Sequence, residues 1–210
     1  MGYKHIIFDI DGTLLDTEYS VLHSLQKTLK ELHGKDMACE DLTFALGIPG
    51  KEALEKLGIT DIPHTLQVWV RYLQEFNHTV CFFDGIEQVL DTLSRNGFHL
   101  GIVTSQLKSH YQNDFGKRPS AGYFETVVCA DDTDRHKPSP APLLHYMQQT
   151  KAAPEEVLYI GDSRYDMECA RAAHVDFALA VWGSRGRIHA DCELHTMEEL
   201  LEKTGCKPLA

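Results

Sequence analysis

No stretch of this 210-residue chain comes near the ~20 apolar residues that a membrane-spanning helix needs. The first apolar run, Ile6 to Phe8, is cut at once by Asp9, so no leader peptide is expected there. Cysteine is sparse and scattered. Cys39, Cys81, Cys129, Cys169, Cys192 and Cys206 form no C-x-x-C pair, which leaves free thiols in a reducing cytoplasm as the expected state. Twelve histidines supply neither H-x-x-x-H nor H-E-x-x-H, and a zinc site is not expected. Positive charge is also short: 20 Lys and Arg against 31 Asp and Glu leave a formal charge of −11. That balance argues against a nucleic-acid backbone or an anionic membrane as the main partner. Internal repeats and low-complexity tracts are absent. A monomer or weak dimer is expected.

What is present is an ordinary globular composition, 43% hydrophobic and 24% charged, at a length that fits one domain or one domain with an insertion. Five short runs are almost continuously apolar: residues 4–10, 99–104, 125–130, 156–161 and 176–181. Such runs suit a parallel sheet covered on both faces. Helical spacing lies between them, as in Ile86, Val89, Leu90 and Leu93, in the proline-led segment 139–150, and in Met167, Ala170 and Ala173. The residues Thr196 and Glu199 read as a capping box for a last helix. The alternation predicts an α/β fold, a doubly wound parallel sheet of Rossmann-like type.

The first two strands are separated by about ninety residues, far more than a crossover needs. Residues 17–82 read as several helices, with Leu22, Leu25, Leu29 and Leu32 as one stripe and Leu66, Trp69, Val70 and Leu73 as another. We therefore expect a core domain of 1–16 and 83–210 and a small all-helical cap of 17–82. Trp69 and Tyr72 are expected in the core of that cap.

In an open α/β sheet, ligands bind at the carboxyl ends of the strands. Strand one runs into Asp9, Asp11, Gly12 and Thr13; strand two ends in Thr104 and Ser105; Lys137 follows strand three; Asp162 and Asp166 follow strand four. Carboxylates two residues apart on an extended chain project to one side and repel. Mg²⁺ removes the conflict, because it takes oxygen ligands and commonly binds one or two carboxylates plus a substrate phosphate. One oxygen of Asp9 then stays free, and a carboxylate can act as a nucleophile. Gly12 allows a close backbone turn, with adjacent N–H groups free to donate to a phosphate.

The segments "FDIDGT", "VTS", "KPSPAP" and "GDSRYD" resemble, in order, the four motifs of the haloacid dehalogenase-like hydrolase superfamily. Within it the chain is similar to the phosphoglycolate phosphatase and β-phosphoglucomutase branch. The resemblance implies Asp9 as nucleophile and Asp11 as general acid and base, its backbone carbonyl also serving the metal. It implies Thr104 as a hydrogen-bond donor to the phosphoryl group with the Ser105 amide nearby, Lys137 as the neutralising cation, and Asp162 as a metal ligand with Asp166 beside it. The segment 45–58 looks like the substrate-facing turn of the family's cap, which would bring Gly47, Gly50 and Lys51 over the site. His136 and Arg164 could reach it or be plain loop and helix residues. The implied activity is Mg²⁺-dependent hydrolysis of a small phosphorylated metabolite through an aspartyl phosphate. A phosphomutase and a non-catalytic phosphoester-binding protein are the alternatives. Two departures stand out: His174 replaces a usual glycine, and Asp84–Gly85 replaces the proline-glycine pair often seen where the cap chain returns.

Overall fold

The computed structural model describes residues 2–186, 188–190 and 192–206. Its frame is a six-stranded parallel sheet. In chain order the strands are β1 (His5–Phe8), β4 (His99–Val103), β5 (Phe124–Val128), β6 (Val157–Gly161), β7 (Asp176–Ala180) and β8 (Cys192–Leu194). Across the sheet the order is β5-β4-β1-β6-β7-β8. The first strand is therefore central, with Ile7 opposite Gly101 on one side and Tyr159 on the other.

Period two divides each strand between two cores. Ile6, Phe8, Ile102 and Ile160 pack with α5 (Ile86–Arg95) and α9 (Glu199–Thr204) on one face. Ile7, Val103, Tyr159 and Leu179 pack with α7 (Ala141–Thr150) and α8 (Arg164–Ala172) on the other. Covering both faces explains why the runs are apolar at nearly every position. A short helix, α6 (Lys108–Asn113), follows β4. The direction of the sheet brings Asp9, Thr104, Cys129 and Asp162 to a common edge, one residue past each strand end.

The helical insertion leaves and returns through a two-stranded ribbon that the sequence patterns did not reveal. β2 (Leu15–Asp16) pairs antiparallel with β3 (Cys81–Phe82). Between them lie α1 (Glu18–His33), α2 (Cys39–Leu42), α3 (Gly50–Lys56) and α4 (Ile62–Phe76). These helices bury their own core of Leu22, Leu25, Leu29, Leu42, Leu54 and Trp69. The indole N–H of Trp69 donates to the Ser24 hydroxyl at 2.9 Å, and Tyr72 is buried as expected.

Four local expectations need correction. Leu32 does not continue the buried stripe of α1; it is 37% exposed. A sixth strand, β8, is added by three residues too short to show a period. The last helix begins at Glu199 rather than after Thr196, and Glu199 Oε2 accepts from the His195 N–H at 3.0 Å, so no capping box forms. The cap's return at 84–86, expected to be a less constrained hinge for want of the proline of that pair, is held by its glycine. Gly85 has φ +78°, and a Cβ there would lie 2.9 Å from the Glu198 Cδ, which ties this corner to the end of the chain. His174 does take the left-handed conformation, at φ +58°, where glycine has no Cβ penalty.

Candidate active site

Asp9 continues β1, its N–H donating to the Ile160 carbonyl at 2.9 Å. The strand is apolar up to Phe8, so the carboxylate emerges from the sheet while still 98% removed from solvent, at 2% exposure. One of its oxygens, Oδ2, lies 3.1 Å from Lys137 Nζ. The other, Oδ1, is buried with no hydrogen-bond partner. A buried carboxylate oxygen without a partner is rare and needs an explanation.

Lys137 joins Asp9 to Asp166, whose Oδ1 lies 2.6 Å from Nζ. Tyr159 completes this buried knot: its hydroxyl donates to Asp166 Oδ1 at 2.7 Å and lies 3.3 Å from Lys137 Nζ. Asp166 Oδ2 accepts from the Ser163 N–H at 3.1 Å and from the Ser163 hydroxyl. Ser163 is also the N-cap of α8, its Oγ accepting from the Asp166 N–H at 3.2 Å. This reciprocal cap fixes the first turn of α8, so Asp166 is held by the same bonds that start its helix.

Asp162 sits between these groups and the turn after β1. Its Oδ1 accepts from the Thr13 hydroxyl at 3.2 Å. Gly12 has φ +81°, and the Cβ it lacks would lie 2.6 Å from the Asp162 Cγ. Glycine is required here by Asp162 as well as by the turn. On the opposite side the Trp182 indole N–H donates to the Thr13 carbonyl at 2.9 Å, and a Cβ on Gly183 would collide with the Gly12 carbonyl.

Oxygens of Asp9, Asp162 and Asp166 all lie within 4.8 Å of one another. Three buried acids face one ammonium, which leaves surplus negative charge in a poorly solvated space. Burial pushes the Asp9 carboxyl up to about 7, against the opposing pull of Lys137. Burial, then Asp166 and Asp9, push Asp162 well above the usual carboxylate range. Burial alone would lower the Lys137 ammonium, but Asp166 and Asp9 outweigh it and raise its pKa. The chain thus supplies less positive charge than its acids need. A hard divalent cation with oxygen ligands fits both the deficit and the orphaned Asp9 oxygen.

The side chain of Asp11 stands apart from that triad. Its Oδ2 accepts from the Gln106 side-chain amide at 2.8 Å. Burial raises its pKa, with the Gln106 bond opposing. Gln106 is also tied down through its main chain: its N–H donates to Thr104 Oγ1 at 3.2 Å, and its carbonyl accepts from the Ala130 N–H at 2.9 Å. Since Thr104 Oγ1 accepts that bond, its own hydrogen remains available to a ligand.

The insertion closes over this edge. Ser105 Oγ donates to the Gly47 carbonyl at 3.1 Å, and the missing Cβ of Gly47 would lie 3.2 Å from that of Ser163. Between sheet edge and helices is a cavity of about 210 Å³. Asp9, Asp11, Gly12, Ser105 and Asp162 form its floor, and residues 45–51 with one side of α4 form its roof.

A family model described as haloacid dehalogenase-like hydrolase matches residues 6–180. The chain belongs to that family. A "Phosphoglycolate phosphatase" of Aquifex aeolicus is 31% identical over 85% of this chain and 84% of its own. A "Pyrophosphatase PpaX" of Anoxybacillus flavithermus is 27% identical over 98% of both chains. Among solved structures, a putative phosphoglycolate phosphatase from Lactobacillus plantarum superposes with a TM-score of 0.89 at 29% identity, covering 97% of this chain and all of that one. The chain is thus an enzyme of phosphatase type in the haloacid dehalogenase-like family, which sets aside the non-catalytic alternative.

Of the residues singled out by the family motifs, Asp9, Lys137, Asp162 and Asp166 meet in one cluster, with Thr13 bonded to it. Asp11, Thr104 and Ser105 line the adjoining loop. Gly47 roofs the cavity. Lys51 borders it, but its side chain is 71% exposed and its ammonium lies 3.8 Å from Glu55. His136 lines the cavity, its Nδ1 buried without a partner. Arg164 turns outward to Glu168 at 2.6 Å. Gln106, Tyr159, Ser163 and Gly183 were missed. Tyr159 offered one hint, a hydroxyl inside an otherwise apolar strand; Gln106 offered none. Among the described residues no helix is long and apolar enough to cross a membrane, and all six cysteines are free thiols.

Proposed function

We propose that the protein is a Mg²⁺-dependent phosphatase that hydrolyses a small phosphorylated metabolite through an aspartyl phosphate. The observation that carries this reading is the divided environment of Asp9: one oxygen neutralised by Lys137, the other buried and unpartnered at the floor of a cavity roofed by the insertion.

Asp9, Asp162 and the Asp11 backbone carbonyl would hold the cation, with Asp166 beside it. Bound there, it would neutralise the acids and draw charge from the phosphoryl oxygens. An oxygen of Asp9 attacks phosphorus as the bond to the leaving alcohol breaks. Asp11, aimed by Gln106, gives its proton to the departing oxygen. Asp11 then takes a proton from water as that water attacks phosphorus, which frees Asp9 and releases inorganic phosphate. Thr104 and the Ser105 N–H donate to the transferring group, and Lys137 keeps Asp9 ionised and offsets its charge. Residues 17–82 act as a cap that keeps bulk water out while the ester bond is broken.

The test is phosphate release from a panel of monoesters with and without Mg²⁺, together with acid quenching and mass measurement of the intact chain. A transient mass increase of one phosphoryl group, absent in Asp9→Asn, is the expected result. Turnover that persists at the wild-type rate in Asp9→Asn would sink the mechanism.

A further inference from the structure

The floor of the cavity is crowded with charge, but its walls are not. Val21, Leu46, Leu66, Val70, Leu73 and Leu107 all line it, and each is half-buried. Beyond the acids of the floor, the ionised groups that border it are Glu18, paired with Arg185, and Lys51, turned toward Glu55. Two imidazoles, His110 and His136, also line it; burial keeps His110 below its ordinary pKa. Thus, beyond Glu18 and the two imidazoles, the wall offers one outward-turned ammonium and is otherwise mainly apolar.

We infer that the substrate is a phosphate monoester of a small apolar alcohol, aromatic or branched, carrying no second anionic group. This rests on the phosphatase reading and specifies its leaving group. A second phosphate or a carboxylate on the leaving group would be pressed against leucine and valine with its charge unmatched, which is costly where the surrounding surface is apolar. It would also face the field of Glu18 and Asp11. An apolar group releases water from those six side chains instead. A cavity of about 210 Å³, below the ~300–1,000 Å³ of common small-molecule pockets, suits a single ring or a short branched chain. The inference separates this chain from relatives whose names specify pyrophosphate or phosphoglycolate, both of which bear a second anionic group.

The discriminating comparison uses the full chain with Mg²⁺ and four substrates: benzyl phosphate, 3-methylbutyl phosphate, phosphoglycolate and pyrophosphate. The first two release ordinary, unactivated alcohols, so speed on them reports binding rather than a better leaving group. We expect kcat/KM for them to exceed that for phosphoglycolate and pyrophosphate by about tenfold or more. Val70→Lys, which adds a cation to the wall, should shift the ratio of benzyl phosphate to phosphoglycolate by a similar factor in the opposite direction. Equal or faster turnover of either competitor that bears a second anionic group by the wild-type protein overturns the inference and leaves the phosphatase reading standing. Calorimetry covers the converse case. If no ester is turned over, tighter binding of benzylphosphonate than of phosphonoacetate still supports the apolar wall, and equal or weaker binding overturns it.

Discussion

The two sides of the cavity are built from different physics. The floor comes from the ends of β1, β4 and β6 and the loop before α7, and it is a knot of ionised groups with directional bonds. The roof comes from the insertion and presents apolar side chains. Charge at the floor is held in place: Asp166 alone engages Lys137, Tyr159 and Ser163. The roof is joined to the core by few polar bonds, among them Ser105 to Gly47. The contrast assigns the chemistry to the floor and the choice of substrate to the roof. A floor substitution should therefore change rate and stability together, whereas a roof substitution should change selectivity with little loss of rate.

The largest effect is expected for Asp9→Asn, which should lower kcat by about 10⁴-fold or more while leaving the circular dichroism spectrum unchanged. A loss of less than tenfold would place the chemistry elsewhere. Next comes Lys137→Met. Removing the ammonium leaves Asp9 and Asp166 buried without a cation, at a cost of about 3–5 kcal/mol in urea denaturation. If stability is unchanged, Lys137 is not what offsets the buried charge of Asp9 and Asp166. Mg²⁺ should act in the same direction as the lysine. At a hundred times its Kd it should add about 2.7 kcal/mol, which raises the Tm by several degrees, and chelation should reverse the gain. Asp162→Asn should remove that response. At the roof, Leu73→Ala should lower kcat/KM on an apolar ester by about tenfold at most while kcat stays within about twofold. A large fall in kcat there would break the division between the two sides.

A smaller test uses the opposite end of β1, away from the site. His5 is buried beside Tyr146 and stacked on His99, and burial lowers its pKa below 6.5. The unfolded chain therefore binds this proton more readily, so the stability His5 contributes is present above pH 6.5 and lost as pH falls below it. The loss of stability below pH 6.5 should be flatter in His5→Gln, as read by urea denaturation across that range.

Most of the sheet was legible because its strands are buried on both faces and so carry unbroken apolar runs. The acids of the floor were legible because each follows such a run directly. What escaped detection had no period to display. The ribbon of Leu15–Asp16 with Cys81–Phe82 has two residues per strand, and its pairing spans the whole insertion. Thr196 and Glu199 had the letters of a capping box, but the helix starts three residues later, after the chain leaves β8. Gln106 orients Asp11 from a loop whose composition is unremarkable; only the fold brings them together. The apolar stripe of α4 was read as core packing, and Trp69 is indeed buried. Leu66, Val70 and Leu73 also border the cavity, a distinction that helical spacing alone does not make.

The central position of β1 has a consequence for synthesis. On the ribosome, the first strand to emerge waits for partners that begin at His99 and Val157. Until both have left the exit tunnel, a nascent chain exposes at least one unpaired edge of a strand that is buried throughout in the fold. Pairing of β1 is thereby held back until Val157–Gly161 has left the tunnel, and the interval before that is when a chaperone would have most to bind.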